Sequence, residues 1–409
     1  MPTINLFLLF NKHIGRLLLA ATMLLLVPIL IHAQANRTVD LGNLLREQVA
    51  ALQDTSKRIA NQTLGVNEKL HRAKLTADFY AARNHKPAWI NGYTIPEKVN
   101  QLSTCIRLSE SNALLPEDYH INAINILTQT ISSSRPDDIH PNTLASLDIL
   151  LTDAYLLLGS HYLEGKIEPS EINDNWNINK KAVGMTHYLE KSLQKEDICQ
   201  TLEELLPIHP QYAQLRQVLS DYKRLSWNKV EADWNILLQK GNKSPLVPIL
   251  RQRLQITGDL APGPTHDDFF DKDLEKAVMK FQRRHGMFYD GLVRSNVVNA
   301  LNIMVEERIR QIKANMERWR WMPDEFGDTH IAINIPEFML EMRSNGQRLY
   351  RDMIIIGRER FPTPSFSDTV EYLVLNPYWN IPKSIAKTEL SVAVKNDGNH
   401  FETEDIEVF

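Results

Sequence analysis

Residues 375–387, LNPYWNIPKSIAK, gather two prolines, a Tyr-Trp pair and a lysine into one short stretch. Pro377 and Pro382 each fix φ, so the segment is locally stiff and reads as the lead-in to something it must present. The groups that could do chemistry around it are few. The chain has two cysteines, Cys105 and Cys199, in the contexts LSTCIRL and KEDICQTL. In an oxidising compartment they could pair, but one pair is no disulfide framework, and two isolated buried thiols are the expectation. His330 and His400 lie towards the C-terminal end. A general base needs a matched partner, and a histidine beside a strand is more often structural, so neither is expected to be catalytic. No Cys/His spacing resembles a zinc site, and the sequence has no G-x-S-x-G elbow and no phosphate-binding glycine loop, so neither metal nor cofactor is expected.

These residues need a large frame. At 409 residues the chain is long enough for two or three domains. It is 43% hydrophobic and 23% charged, a globular balance, and its net charge of −4 gives no support for a nucleic-acid partner. Lys12 and Arg16 precede an apolar run from Leu17 to Ile31, followed by Ala33-Gln34-Ala35. That order is the order of a secretory signal peptide, and the run is shorter than the ~20 residues of a spanning helix. Residues 1–35 are therefore expected to direct export and be removed, leaving no membrane span; the alternative is an uncleaved N-terminal membrane anchor.

From about Val39 to Leu237 the pattern is helical. Leu147, Leu151, Ala154, Leu158 and Tyr162 share one helical face, with Gly165 placed to end the helix. Tyr212, Leu215, Leu219 and Tyr222 make a second stripe, and Trp89, Tyr119, Trp176 and Trp234 are expected to pack between such helices. SSSRPDDIHPN (132–142) reads as a loop. Over 245–305, Val247, Leu250 and Leu254, then Leu274, Ala277, Val278 and Phe281, then Val297, Ala300, Leu301 and Met304 predict three short helices, with Gly258, Gly286 and Asp290-Gly291 at the turns.

The period then changes to 2. Ile331, Ile333 and Ile335, and after them Phe338, Leu340 and Met342, alternate up to Asn345-Gly346, a hairpin signal. A return strand is predicted from Tyr350 to Ile356, and a further short strand over Glu371–Leu375. The fold class is α+β: a mostly helical scaffold, a three-helix module, then an antiparallel β region.

Several of these stretches together resemble a known family. VPILRQRLQITGDL, LEKAVMKFQRRHGMFYDGLV and VVNALN resemble the three-helix peptidoglycan-binding domain of bacterial wall enzymes, with Phe281-Gln282, Asp290-Gly291 and Leu301-Asn302 in its F-Q, D-G and L-N positions. YAARNHKPAWI, LLPEDYH and PIHPQYAQLRQVLSDY look like the scaffold domain of large L,D-transpeptidases. IKANMERWRWMP, IIIGRERFPTP and VLNPYWNIPKSIA look like the opening of that family's catalytic domain. After the signal peptide read over 1–35, the resemblance, which covers roughly 75–409, implies a scaffold over 36–244, a peptidoglycan-binding module over 245–305 and the N-terminal part of a catalytic domain over 306–409.

It also implies a chemistry. In that family a thiolate attacks a peptidoglycan stem peptide, and an amine on a second stem resolves the acyl-enzyme. The cysteine comes from a Ser-His-Gly-Cys stretch and needs a nearby histidine and oxyanion donors. By this resemblance Arg358, Tyr378, Trp379 and Lys383 are the candidate substrate-binding residues, the two cations facing substrate carboxylates and the prolines holding a loop beside the groove. Arg318-Trp319-Arg320-Trp321 is expected to seal the junction between the helical module and the sheet, or to form a cation–π cluster. Both cysteines precede the catalytic domain, so its nucleophile and histidine are expected to be absent from these residues and the chain to be an inactive fragment. The expected partner is peptidoglycan and the expected location the periplasm. The alternative is an exported, non-catalytic wall-binding scaffold.

Overall fold

A computed structural model describes residues 41–51, 58–61, 65–172, 176–178, 181, 183–229, 237–358 and 360–407. The export signal over 1–35 and the packing expected of Trp234 fall outside the described residues. In chain order the scaffold comprises α1 (41–51), the hairpin β1 (Arg58–Asn61) and β2 (Val66–Lys69), α2 (Ala73–Ala82), α3 (Glu97–Leu108), α4 (Ile121–Ser133) and α5 (Pro141–Glu164). It continues through the short α6 (Pro169–Ile172), the two-residue strand β3 (Trp176–Asn177), α7 (Met185–Gln194), α8 (Ile198–Glu203) and α9 (Pro210–Tyr222).

Helix α5 is the axis of this part. Every residue from Thr143 to Leu163 is buried, so the apolar stripe read from the sequence is one side of a helix covered all round. It is long and apolar enough to cross a membrane, yet lies wholly inside the protein. Pro141 opens it at the first turn, where a missing N–H costs nothing, and Gly165 ends it at φ 87°, ψ 166°. Around it pack α2, α3, α4, α7 and α8, with Leu41, Leu45 and Val49 of α1 joining the same core.

Three expectations are corrected here. The region 39–237 is not helical throughout, because β1 and β2 pair antiparallel within it, Ile59 opposite Glu68. Residues 132–142 hold little loop: α4 runs to Ser133, a 3₁₀ turn covers Pro136–Asp138 and α5 begins at Pro141. The prolines and aspartates there start helical turns instead of keeping the chain open. Cys105 and Cys199 are not separate thiols; they are bridged, tying α3 to α8 with Cα atoms 5.2 Å apart. Spacing along the chain carries no information about this contact, which exists because both helices pack on α5.

The second module is α10 (Leu246–Ile256), α11 (Lys272–Arg284) and α12 (Ser295–Leu301). It has its own core, built on Val247, Leu250, Leu254, Phe270, Leu274, Val278, Phe281, Val297 and Leu301. Gly258, Gly286 and Gly291 all take positive φ at its turns. Helix α13 (Val305–Arg320) then returns to the scaffold, packing on α9 and α5 and placing Ile312 and Met316 in the scaffold core.

Strands β4 (Thr329–Asn334), β5 (Met339–Ser344) and β6 (Gln347–Met353) form a three-stranded antiparallel sheet in that order. Ile331 stands opposite Met342 and Ile333 opposite Leu340, while Met342 meets Tyr350, so these apolar side chains share one face, with Asp352 opposite Leu340 on it. Asn345 and Gly346 take φ of 48° and 75°, the paired positive values a two-residue hairpin turn needs. The alternation expected to run on through Ile335 stops at Asn334, because Pro336 cannot donate to a ladder and the chain turns through Ile335–Glu337. The return strand begins and ends earlier than predicted, at Gln347 and Met353.

Residues 366–409 form a separate unit. It holds α14 (Lys383–Ile385), a π-turn over Ala386–Leu390, α15 (Ser391–Asn396) and α16 (His400–Thr403), none with a buried side chain. The strand expected over Glu371–Leu375 is not formed: those residues are irregular and exposed, having no neighbouring strand to pair with.

Candidate functional site

The proposed substrate-binding residues are surface groups. Tyr378 is 79% and Trp379 71% exposed, on a loop that begins with Asn376 at φ 50° and runs between Pro377 and Pro382. Lys383 follows as the first residue of α14, exposed. Arg358 belongs to the preceding unit, on a tight turn whose Phe361 N–H donates to its carbonyl at 2.8 Å. Gly357 beside it has no room for a Cβ against the Phe361 carbonyl, so the turn itself requires glycine. His330 caps its own loop, its Nδ1 lying 3.0 Å from the Gly327 carbonyl, and His400 opens α16. Neither cysteine is a thiolate, since both sulfurs lie in the disulfide. Among the described residues no set of His, Cys, Asp or Glu side chains gathers as a metal site would.

In the three-helix module the motif residues are braces. Phe281 is in its core, and Gln282, fully buried next to it, holds the Asp290-Gly291 turn. Its amide donates to Asp290 Oδ1 and to the Leu292 carbonyl, each at 3.0 Å, and its oxygen accepts the Gly291 N–H at 2.9 Å. Gly291 has φ 76°, and a Cβ there would come within 3.0 Å of the Glu275 side chain. Arg284 grips Asp259 with two nitrogens, at 2.7 and 2.5 Å, closing the end of α10 onto α11. Trp227 attaches the module to the chain before it: its indole donates to the Ile303 carbonyl at 3.1 Å, and the Arg253 guanidinium lies 3.6 Å from its ring.

The scaffold hides a polar system that sequence reading missed. Asp153, buried in mid-α5, accepts the backbone N–H groups of His71 and Arg72 at 3.0 and 2.8 Å and so caps α2 from across the fold. His120, at φ 57°, lies 2.9 Å from Asp153 with one ring nitrogen and 2.9 Å from Glu68 with the other. Burial alone would push its pKa down; hydrogen bonds and charge from the two carboxylates outweigh that and hold it up at about 9. Glu68 is lowered in turn, chiefly by its hydrogen bond from His120. Five residues before Asp153, Asp148 accepts from Tyr80 Oη and from the N–H groups of Ala88, Trp89 and Ile90, although burial raises its pKa. The signal for both was two aspartates inside an apolar run, DILLTDAYLLLG, where a carboxylate survives only if it is fully bonded. His161, driven down to about 3 by burial, has its Nδ1 hydrogen-bonded with Tyr119 Oη at 2.9 Å.

The RWRW run closes α13 on the scaffold. Arg320, 1% exposed, pairs with Glu317 at 2.5 Å, donates to the Asn112 carbonyl and reaches Tyr212 Oη at 3.2 Å. Trp321 meets Trp176 edge-on at 5.3 Å, and Trp319 stacks on His209 at 4.3 Å. From His209 the ring contacts continue through Phe326 to His330 at the start of β4. The seal expected between module and sheet is therefore centred between scaffold and α13, and it reaches the sheet through His209 and Phe326.

Comparison with known proteins agrees with this layout. The family description "Scaffold domain" matches residues 74–219, α2 to α9. "Putative peptidoglycan binding domain" matches 243–301, the three-helix module. "L,D-transpeptidase catalytic domain" matches 328–405, the sheet and the C-terminal unit. The chain thus carries a scaffold domain, a peptidoglycan-binding domain and an L,D-transpeptidase catalytic domain, in this order. A Haemophilus influenzae protein named "Putative L,D-transpeptidase" is 28% identical over 91 residues, which are 22% of this chain and 18% of that one. The match thus spans less than a fifth of the relative's length.

Proposed function

We propose that this protein acts in peptidoglycan crosslinking at the cell envelope, the chemistry being cysteine acyl transfer between stem peptides. The order of the three matched domains carries that reading: a scaffold is followed by a peptidoglycan-binding module, and that module by a transpeptidase domain. The divisions at 36–244, 245–305 and 306–409 and the periplasmic location belong to the same proposal. In it Arg358, Tyr378, Trp379 and Lys383 contact the substrate, the cations meeting its carboxylates.

These 409 residues supply no thiolate for the attack, because their two cysteines are bonded to each other in the scaffold. In this reading neither the attacking thiolate nor its histidine is assigned to any of these residues. As it stands the polypeptide is expected to form no covalent adduct with a carbapenem, which acylates the active-site cysteine of such enzymes. Mass spectrometry after incubation tests this, and a stoichiometric adduct would overturn it. The same disulfide favours a second reading, a non-catalytic wall-binding scaffold. Purified sacculi separate the two ideas: strong retention without an adduct fits both, whereas activity in a longer polypeptide carrying a Ser-His-Gly-Cys stretch would select the enzyme.

A further inference from the structure

We propose that Phe288 and Tyr289 form an aromatic platform for the glycan strand of peptidoglycan, an assignment that rests on the wall-binding reading of the three-helix module. Phe288 is 83% and Tyr289 56% exposed, consecutive residues on the loop between α11 and α12. The loop that carries them is pinned at both ends. On one side the Met287 N–H donates to the Gln282 carbonyl at 2.9 Å, and Met287 packs against the module core. On the other, Asp290 and Gly291 are held by the buried Gln282 side chain. Met287 thus points inward, and the next two side chains are left in water on a fixed backbone.

Two adjacent aromatics on a braced loop are suited to a ligand with a flat apolar face. A pyranose ring turns C–H groups of slight positive charge towards the negative face of an aromatic ring. Phe and Tyr have only two side-chain torsions to fix, so contact with them orders little. The Tyr289 hydroxyl adds a hydrogen-bonding group at the platform's edge. Charge separates the glycan from the stem peptide as the occupant. Asp290 is paired with Arg294 at 2.6 Å and Asp259 with Arg284, so those ionic groups of the module are already used within it. A neutral sugar fits such a patch better than a carboxylate-bearing peptide.

The test is sedimentation of the whole chain with purified sacculi, comparing it with a Phe288→Ala/Tyr289→Ala variant and a Phe288→Trp/Tyr289→Trp variant. The alanine pair is expected to bind about tenfold more weakly, as loss of an aromatic anchor does, and the tryptophan pair to bind at least as well as the parent. Soluble oligomers of N-acetylglucosamine are expected to compete with sacculi, and the free stem peptide is not. Both side chains are exposed, so the melting temperature of either variant is expected to stay unchanged. If the parent chain binds and the alanine pair binds equally, the platform is wrong and the wall-binding reading stands. Competition by the stem peptide alone would also overturn it. If the parent chain does not sediment with sacculi, the wall-binding reading fails and the platform with it.

Discussion

Asp153 of α5 and His120, at the head of α4, meet at 2.9 Å in a site where both side chains are buried, and Glu68 of β2 closes the other side of the imidazole. One ring thus joins hairpin, α4 and central helix. The consequence for pH is definite in sign. His120 is raised from 6.5 to about 9, so its contribution is complete below pH 6.5 and is lost as pH rises through 9. Glu68 is lowered, so its part is present above its unfolded value and is lost as pH falls through the folded one. The melting temperature is therefore expected to fall between pH 6.5 and 9 in the parent and to be nearly flat there in His120→Gln. A parent with no such fall would contradict the pairing.

Removing the anion is expected to be worse than removing the cation's charge. In Asp153→Ala the His71 and Arg72 N–H groups lose their acceptor and His120 keeps only Glu68. Breaking a buried pair from one side costs on the order of 3–5 kcal/mol. Urea unfolding of the purified chain measures it, and a loss below about 1 kcal/mol would show that the network is not anchoring α2.

Gly165 is a second position where the fold admits one residue type. Its φ of 87° with ψ of 166° lies in a region open essentially to glycine. A Cβ there would stand 2.6 Å from both Glu317 Oε1 and Trp321 Nε1, the groups that seat α13 on the scaffold. Gly165→Ala is expected to cost roughly 3 kcal/mol from the backbone and the collision together. Because Trp321 is the neighbour displaced, its fluorescence should shift to the red at once. An unshifted spectrum with unchanged stability would place α13 elsewhere.

What the sequence made legible, and what it did not, follows one physical line. Local rules reached the hairpin at Asn345-Gly346, the end of α5 at Gly165 and the three helices over 245–305, since each depends on a few neighbouring residues. They failed where the partner lies far along the chain. The Cys105–Cys199 bridge spans 94 residues, and Glu317 accepts the Lys166 and Ile167 N–H groups from about 150 residues away. The strand expected over Glu371–Leu375 had the right composition, but composition supplies no partner strand. Arg358, Tyr378, Trp379 and Lys383 came from resemblance, and what the fold adds is their exposure and local geometry.

In the three-helix module the decisive residue is Gln282. Gln282→Ala would leave the Gly291 N–H and the Leu292 carbonyl without their side-chain partner. Buried groups stripped of a partner cost about 1–3 kcal/mol each, a large share of what a core this small can supply. The variant is expected to lower the module's unfolding midpoint and to weaken binding to sacculi together. Unlike the aromatic pair, it should lose binding through stability, so cooling or an osmolyte is expected to restore much of it. Weak binding at an unchanged midpoint would instead make Gln282 a ligand-contacting residue.

The disulfide gives the last and sharpest expectation. It closes a 94-residue span, and cross-links of that length contribute up to about 4–5 kcal/mol by limiting the unfolded chain. Dithiothreitol, or a Cys105→Ser/Cys199→Ser variant, should lower the denaturant midpoint by a corresponding amount. Reduction also liberates two thiols, yet no carbapenem adduct is expected to follow. Cys105 is buried, and both sulfurs face the Gln101 carbonyl at 3.0 and 3.5 Å, an acceptor that stabilises a protonated thiol and not a thiolate. Intact-mass measurement of the reduced chain after carbapenem treatment decides the matter. An adduct mapped to either cysteine would mean that the scaffold carries a reactive thiol of its own, and the account of these residues as a structural staple would have to be abandoned.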